Sequence, residues 1–183
     1  MYLFNQDITE TKSNTLTQAY IAILNDNLEL ADSLFSELDC SRSRWGKALL
    51  EILRGKIDNF PTYFEIRNFF EIDLDFLIKN SKIDYVEILL GSSELLINVN
   101  QEVFKYAARV LIENNYIEIG LNYLKKSKDV LYKDPEMHFM FTKYYLKKED
   151  YTNALFYINE CLKIVPDYFP AQKIKKIILK NLV

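Results

Sequence analysis

The feature that most constrains the fold is a pair of helical patterns between residues 134 and 166, separated by a short polar turn. Asp134 is a good N-cap and Pro135 suits the first position of a helix. Apolar and aromatic residues then recur at helical spacing: Met137, His138, Phe141, Tyr144 and Tyr145. After the polar stretch 147–150, a second helical face carries Ala154, Leu155, Ile158, Cys161 and Leu162. The spacing predicts an antiparallel helix pair that closes at Pro166.

This stretch resembles a tetratricopeptide repeat, a helix–turn–helix unit of about 34 residues. Ala154 falls where the family places a small residue at the crossing of its two helices, and Tyr151 begins the second helix. Thr142 and Glu149 depart from the family, which usually has smaller residues at those two places.

The same register continues towards the N-terminus. Residues 101–134 form a second unit. Asn100, just before it, is expected to cap its first helix, and Gly120 stands at the small position that Ala154 occupies in the last unit. Residues 67–100 match less well, because Val86 stands at the small position, and residues 12–45 form another helix pair. Between these, 41–66 is irregular, with a helix expected to end at Gly55 and another to start at Pro61.

The resemblance implies an all-α fold, a right-handed α-solenoid of antiparallel helix pairs with nine or ten helices in a single domain, 1–183. Residues 169–183 read as a capping helix that covers the last repeat, 135–168. The low content of Gly and Pro, four of each, agrees with this, because an all-β chain would need more turn residues.

In the family, the first helices of the repeats line a concave groove. Carried over to this chain, the resemblance predicts a partner-binding groove made of Lys105, Arg109, Ile112, Phe139, Lys143, Leu146 and Lys147. The four cations could hold an acidic segment or a C-terminal carboxylate. Alternatively, they only solvate a helix face, or pair across neighbouring helices, as Glu71 with Lys105 and Asp75 with Arg109. The family's carboxylate clamp is not expected, because Asp75, Arg109 and Lys143 occupy the place of its Asn.

No residue pattern indicates catalysis, a cofactor or a metal. The single histidine, His138, stands at a packing position without a second ligand, and Cys161 reads as a buried thiol. Trp45 could contact a ligand, but packing is the favoured interpretation. Phosphate-binding loops, paired-His motifs and nucleophile elbows are absent, so we expect a protein that is not an enzyme.

Charge and hydropathy limit the partners. A net charge of −3 gives no support for nucleic-acid binding, and no apolar run is long enough to span a membrane. The N-terminus lacks the features of a secretory signal, and two separated cysteines fit a reducing compartment, so a cytoplasmic location is expected. The lysine-rich tail reads as a solvated cap, with contact to an anionic membrane as the alternative: Lys173, Lys175, Lys176 and Lys180.

These observations favour a non-enzymatic interaction module that binds a peptide or protein in the groove. Two alternatives stay open: an accessory or docking component of an enzyme system, and a self-assembling homodimer. An RNA-binding helical repeat is disfavoured, because the groove is not uniformly basic. The first alternative rests on the sequence FPTYFEIRNFFEIDL, which resembles segments beside repeats in clostridial proteins, some of them attached to glycosyltransferases. A bacterial source with an AT-rich genome agrees with the abundance of Lys, Asn, Ile, Tyr and Phe.

Overall fold

The computed structural model of the chain describes residues 2–182, with side chains from residue 12 onward, and contains no strand in that range. Ten helices cover the described residues: α1 (Tyr2–Leu24), α2 (Leu28–Ser36), α3 (Ser41–Leu53), α4 (Tyr63–Asn68, Phe69–Asp73 and Leu74–Lys79), α5 (Ile83–Leu96), α6 (Val103–Glu113), α7 (Ile117–Val130), α8 (Pro135–Lys147), α9 (Tyr151–Ile164) and α10 (Phe169–Asn181). The all-α prediction is confirmed, whereas the right-handed solenoid stays a prediction.

The helices fall into two compact groups, an N-terminal unit (Met1–Asn100) and a C-terminal unit (Gln101–Val183). The border between them lies where the sequence predicts that the 101–134 repeat begins.

Four helix–helix turns share one backbone motif. Each turn contains one non-glycine residue with a positive φ: Asp26 (59°), Ser81 (58°), Asn115 (68°) and Glu149 (57°). At Asn115, for example, Asn115 N–H donates to Ile112 O (3.2 Å) and Tyr116 N–H donates to Leu111 O (2.8 Å), the pattern of a Schellman motif. The last three turns are 34 residues apart, so the repeat period seen in the sequence is also a period of the backbone.

The C-terminal unit is built from consecutive helices that share their cores. One cluster joins α6, α7, α8 and α9 around Ala108, Leu124, Met137, Phe141 and Tyr157. A second joins α9 to α10 around Ala154, Ile158, Cys161, Ala171 and Ile178.

The close helix crossing in the C-terminal unit explains its small residues. A Cβ added at Gly120 would lie 2.7 Å from Ile112 Cγ1, closer than packed atoms approach, and 3.1 Å from Ala108 O, which is a tight contact. Ala154 at the equivalent place is fully buried. The predicted requirement for small side chains at these two places is therefore explained by the distance between the helices.

Helix α4 of the N-terminal unit contains a π-helical segment, Phe69–Asp73. Such a segment inserts one residue into the helical repeat and changes the direction of the following side chains. Here Phe69, Phe70 and Asp73 are all fully buried.

Two predicted helix starts are corrected. Thr62, not Pro61, stands before α4, because its side chain and Glu65 form a reciprocal capping box. Asn100 does not cap α6, because that helix begins after Glu102. The Asn100 Nδ2 instead donates to Tyr63 O at 3.1 Å. Gly55, with φ 71°, does follow α3 as predicted.

Candidate functional site

A cleft of about 480 Å³ opens between α6 and α8 of the C-terminal unit. Its lining residues are Arg109, Ile112, Glu113, Ile117, Glu136, Phe139, Met140, Lys143, Tyr144, Lys147 and Tyr168. Five of the seven residues predicted for the groove are among them: Arg109, Ile112, Phe139, Lys143 and Lys147. They meet because residues three, four and seven apart share one face of a helix.

The floor of the cleft is apolar. Ile112 and Phe139 are half-buried and Met140 is buried, and the ring of Phe139 meets that of Tyr168 edge-on at 5.2 Å. The Lys143 ammonium lies 5.4 Å from the centre of the Phe139 ring, within cation–π range. A bound apolar side chain would therefore lie directly beside a cation.

The prediction that Lys105 lines the groove is wrong, because its side chain is only 5% exposed. Its ammonium lies 2.6 Å from Asp134 Oδ2, 2.6 Å from Glu102 Oε1 and 3.3 Å from Glu136 Oε2. Burial lowers the pKa of Lys105, but the hydrogen bonds to Asp134 and Glu102 outweigh it and raise that pKa overall. This lysine is a structural counter-ion of three carboxylates and does not offer its charge to a ligand.

Arg109 and Leu146 also have structural contacts. Arg109 donates to Glu136, so its charge is shared with a carboxylate of the cleft. Leu146 packs against the α9–α10 core and does not line the cleft. The predicted pairs Glu71–Lys105 and Asp75–Arg109 join residues of different units and stay predictions.

Lys143 and Lys147 keep their charges available. Both are exposed, and among the side chains from 12 to 182 no carboxylate lies within 4.0 Å of either ammonium. Glu113, which also lines the cleft, is exposed and forms no such pair. Among the described side chains, the unpaired charges of the cleft are thus two lysines and one glutamate, while Glu136, 48% exposed, is paired with Arg109.

A second polar cluster, not predicted from the sequence, lies in the N-terminal unit around Asp73. Its carboxylate is fully buried and accepts hydrogen bonds from Tyr20 Oη (3.1 Å), Arg42 Nη2 (3.1 Å) and Trp45 Nε1. The guanidinium of Arg42 lies 3.3 Å from the Trp45 ring centre and 4.6 Å from that of Tyr20. The cluster joins α1, α3 and α4.

Burial raises the pKa of Asp73 to about 6, although Arg42, Trp45 and Tyr20 each act to lower it. Its enclosed position suits a structural role, because no face of the carboxylate is open to a reactant. The sequence contained one signal for it: Asp73 lies in the apolar stripe of Ile66, Phe69, Phe70 and Leu77.

His138 and Cys161 are both fully buried, which confirms the predicted packing positions. His138 Nε2 lies 2.7 Å from Tyr132 O, and burial lowers the pKa of the imidazole. Burial raises the pKa of the Cys161 thiol to about 11. Enclosure keeps both side chains out of reach of a reactant, and the raised pKa holds Cys161 in its thiol form at neutral pH.

Over the described part of the chain, no group of three or more His, Cys, Asp or Glu side chains is arranged to hold a metal ion. No helix in that part combines the length and apolarity needed to cross a bilayer. Comparison with protein-family models, with curated proteins and with solved structures finds no match.

Proposed function

We propose that this chain is a non-enzymatic interaction module of the tetratricopeptide type, which binds a peptide or protein segment in the cleft between α6 and α8. The observation that carries the proposal is the meeting of five predicted groove residues in one apolar cleft with two accessible lysines. Stacking of the helix pairs into a right-handed solenoid, and a location in the bacterial cytoplasm, belong to the same proposal.

The backbone supports a rigid receptor. The turns at Ser81, Asn115 and Glu149 repeat every 34 residues, and α6 to α9 share one core. A surface formed by packed helices loses little conformational freedom when a partner binds, so more of the contact energy appears as affinity.

The charges of the cleft favour a partner segment with carboxylates beside an apolar side chain. Lys143 and Lys147 can each form a charge-assisted hydrogen bond, and the floor of Ile112, Phe139 and Met140 can cover an apolar group. A basic segment is disfavoured, because it would meet two cations that have no counter-ion among the side chains of residues 12–182.

The test is selection of random displayed peptides on the immobilised protein. We expect enrichment on the wild type and its loss on the double variant Lys143→Glu, Lys147→Glu. The matched control is Lys176→Glu, Lys180→Glu, which reverses two exposed lysines at the same spacing in α10, away from the cleft. Equal enrichment on all three proteins would place the binding surface elsewhere, and no enrichment at all would contradict the proposal.

One further variant tests whether the partner is acidic, separately from whether the cleft binds a peptide at all. Glu113→Gln removes a carboxylate of the cleft that is not paired with Arg109, so acidic peptides should bind more tightly by a factor of about 1.4 to 5, since exposed charge pairs contribute about 0.2–1 kcal/mol. Selected peptides that lack acidic residues, and that ignore Glu113→Gln, would keep the binding function but exclude an acidic partner.

Self-assembly is a second candidate, favoured by an exposed aromatic cluster in the N-terminal unit. Phe60 is 59% and Phe64 73% exposed, and Tyr63 packs edge-on against Phe64 at 5.6 Å. Exposed apolar clusters commonly mark interaction surfaces. Sedimentation equilibrium of the wild type and of Phe60→Ser, Phe64→Ser tests it: a dimer that the variant loses supports self-assembly, and a wild-type monomer at all concentrations contradicts it.

A further inference from the structure

Helix α10 has an unusual charge content for this chain. Between residues 168 and 182 there are four lysines and no acidic residue, although acidic residues outnumber basic ones in the chain as a whole. Those lysines are Lys173, Lys175, Lys176 and Lys180. The helix that the sequence predicts as a cap therefore carries a local excess of positive charge in a chain with a net negative charge.

The packing of α10 divides its residues between two faces. Ala171 and Ile178 are fully buried against α9, with Ile174 beside them. At 100° per residue, the direction opposite to this buried face carries Phe169, Lys173, Lys176 and Lys180. The three lysines are exposed, so one line of cations faces away from the core.

Within the part of the chain whose side chains are described, none of these cations is paired with a carboxylate. Among residues 12–182, no carboxylate lies within 4.0 Å of any lysine of α10. The Lys173 ammonium instead lies 4.7 Å from the centre of the Phe169 ring. By contrast, Lys163 of α9 is paired with Glu160. A helix face that is only solvated does not require its lysines to stand without acidic neighbours.

Large apolar side chains lie on the same exposed surface. Phe169 is 62%, Ile177 54% and Leu179 45% exposed. Ile177 and Leu179 flank the line of cations on its two sides. Exposed apolar groups among lysines suit an interface that offers both negative charge and a hydrocarbon layer. A nucleic acid offers the charge without that layer.

We infer that the outer face of α10 is a docking surface for an anionic lipid bilayer. The lysines contact lipid phosphates, and Phe169, Ile177 and Leu179 enter the boundary between headgroups and acyl chains. Binding of this kind is peripheral and reversible, and it falls with salt because the attraction is screened. It involves a different face from the cleft and does not depend on the function proposed for that cleft.

Flotation of the intact chain with lipid vesicles tests the inference. We expect binding to phosphatidylglycerol-containing vesicles, none to pure phosphatidylcholine, and release at high salt. Lys176→Glu, Lys180→Glu should lower the partition coefficient by at least about thirtyfold, because each lysine near an anionic surface contributes about 1 kcal/mol. Ile177→Ser tests the apolar contact and should lower the partition coefficient without altering its salt dependence.

The cleft variant Lys143→Glu, Lys147→Glu is the matched control and should float like the wild type. Circular dichroism shows whether each variant is folded. A wild type that stays unbound at low salt, or equal loss of flotation in both double variants, overturns the inference. Binding to RNA in a filter assay without any flotation would do the same, and would assign the face to a polyanion.

Discussion

The most deeply buried charged side chains of the two units, Asp73 and Lys105, have opposite signs and are neutralised differently. In the N-terminal unit, Asp73 is surrounded by three donors, of which only Arg42 carries a formal charge. In the C-terminal unit, Lys105 is surrounded by the carboxylates of Glu102, Asp134 and Glu136. Burial prevails at Asp73 and raises its pKa, whereas hydrogen bonds to carboxylates prevail at Lys105. Three carboxylates thus favour the charged form of Lys105, whereas one guanidinium does not offset the burial of Asp73.

Removing the Lys105 ammonium should have the largest effect on stability. Lys105→Met leaves Asp134 and Glu102 close together without their cation, which should lower the free energy of unfolding by about 3–5 kcal/mol. Urea denaturation measures it. The double variant Lys105→Met, Asp134→Asn should recover part of the loss, since Asn keeps the helix cap while removing a charge. A loss below about 1 kcal/mol for Lys105→Met would mean that these groups are well solvated.

Neutralising Asp73 should raise the free energy of unfolding at neutral pH, whereas removing the Lys105 ammonium should lower it. The folded-state pKa of about 6 lies above the ordinary value of 3.8, so folding favours the protonated form. Stability from this group is fully present below pH 3.8 and is lost as pH rises through 6. Asp73→Asn should therefore match the wild type near pH 4 and exceed it at pH 7 by up to about 3 kcal/mol, at about 1.4 kcal/mol per pKa unit.

Thermal unfolding of both proteins across this pH range measures the difference. Comparing the two cancels the contributions of surface acids such as Asp150, whose lowered pKa acts in the other direction. A variant less stable than the wild type at pH 7 would show that Arg42, Trp45 and Tyr20 outweigh burial.

The helix crossings of the two units should tolerate bulk differently. Ala154→Leu adds three carbons to a fully buried site in the C-terminal unit and should cost about 1–3 kcal/mol. Val86→Leu at the equivalent place in the N-terminal unit starts from a larger side chain that is 7% exposed, so it should cost less. Denaturant titrations of both variants compare them. Equal costs would mean that the crossings are equally tight, and no cost for Ala154→Leu would contradict the repeat register.

The smallest effect on stability is expected for the cleft lysines. Lys143→Glu, Lys147→Glu changes two exposed side chains that have no ion-pair partner in the described part of the chain, so the free energy of unfolding should shift by no more than about 0.5 kcal/mol. Far-ultraviolet circular dichroism should show unchanged helical content. Unfolding of this variant would show that the two lysines are structural, like Lys105, and would remove them from the proposed site.

Much of the helical framework could be predicted from local sequence. Asp134 caps α8 as expected, with its Oδ1 accepting from Glu136 N–H and Met137 N–H. Where prediction failed, at Pro61 and Asn100, the competing interaction was a capping box or a contact with Tyr63, 37 residues away. Five of the groove residues followed from the family resemblance, and they line one cleft because helical spacing places them on the same faces of α6 and α8.

The sequence by itself determined the helices, their turns and the 34-residue period, because capping, turn geometry and apolar spacing act over a few neighbouring residues. Tertiary structure alone decided which charges are buried. The family resemblance assigns Lys105, Arg109 and Lys143 alike to the groove, yet only Lys105 meets Asp134, 29 residues further along the chain. Asp73 likewise depends on Tyr20 and Arg42, 53 and 31 residues away. Whether a charged side chain is buried and paired depends on counter-charges that the packed helices bring close to it and on solvent that they exclude.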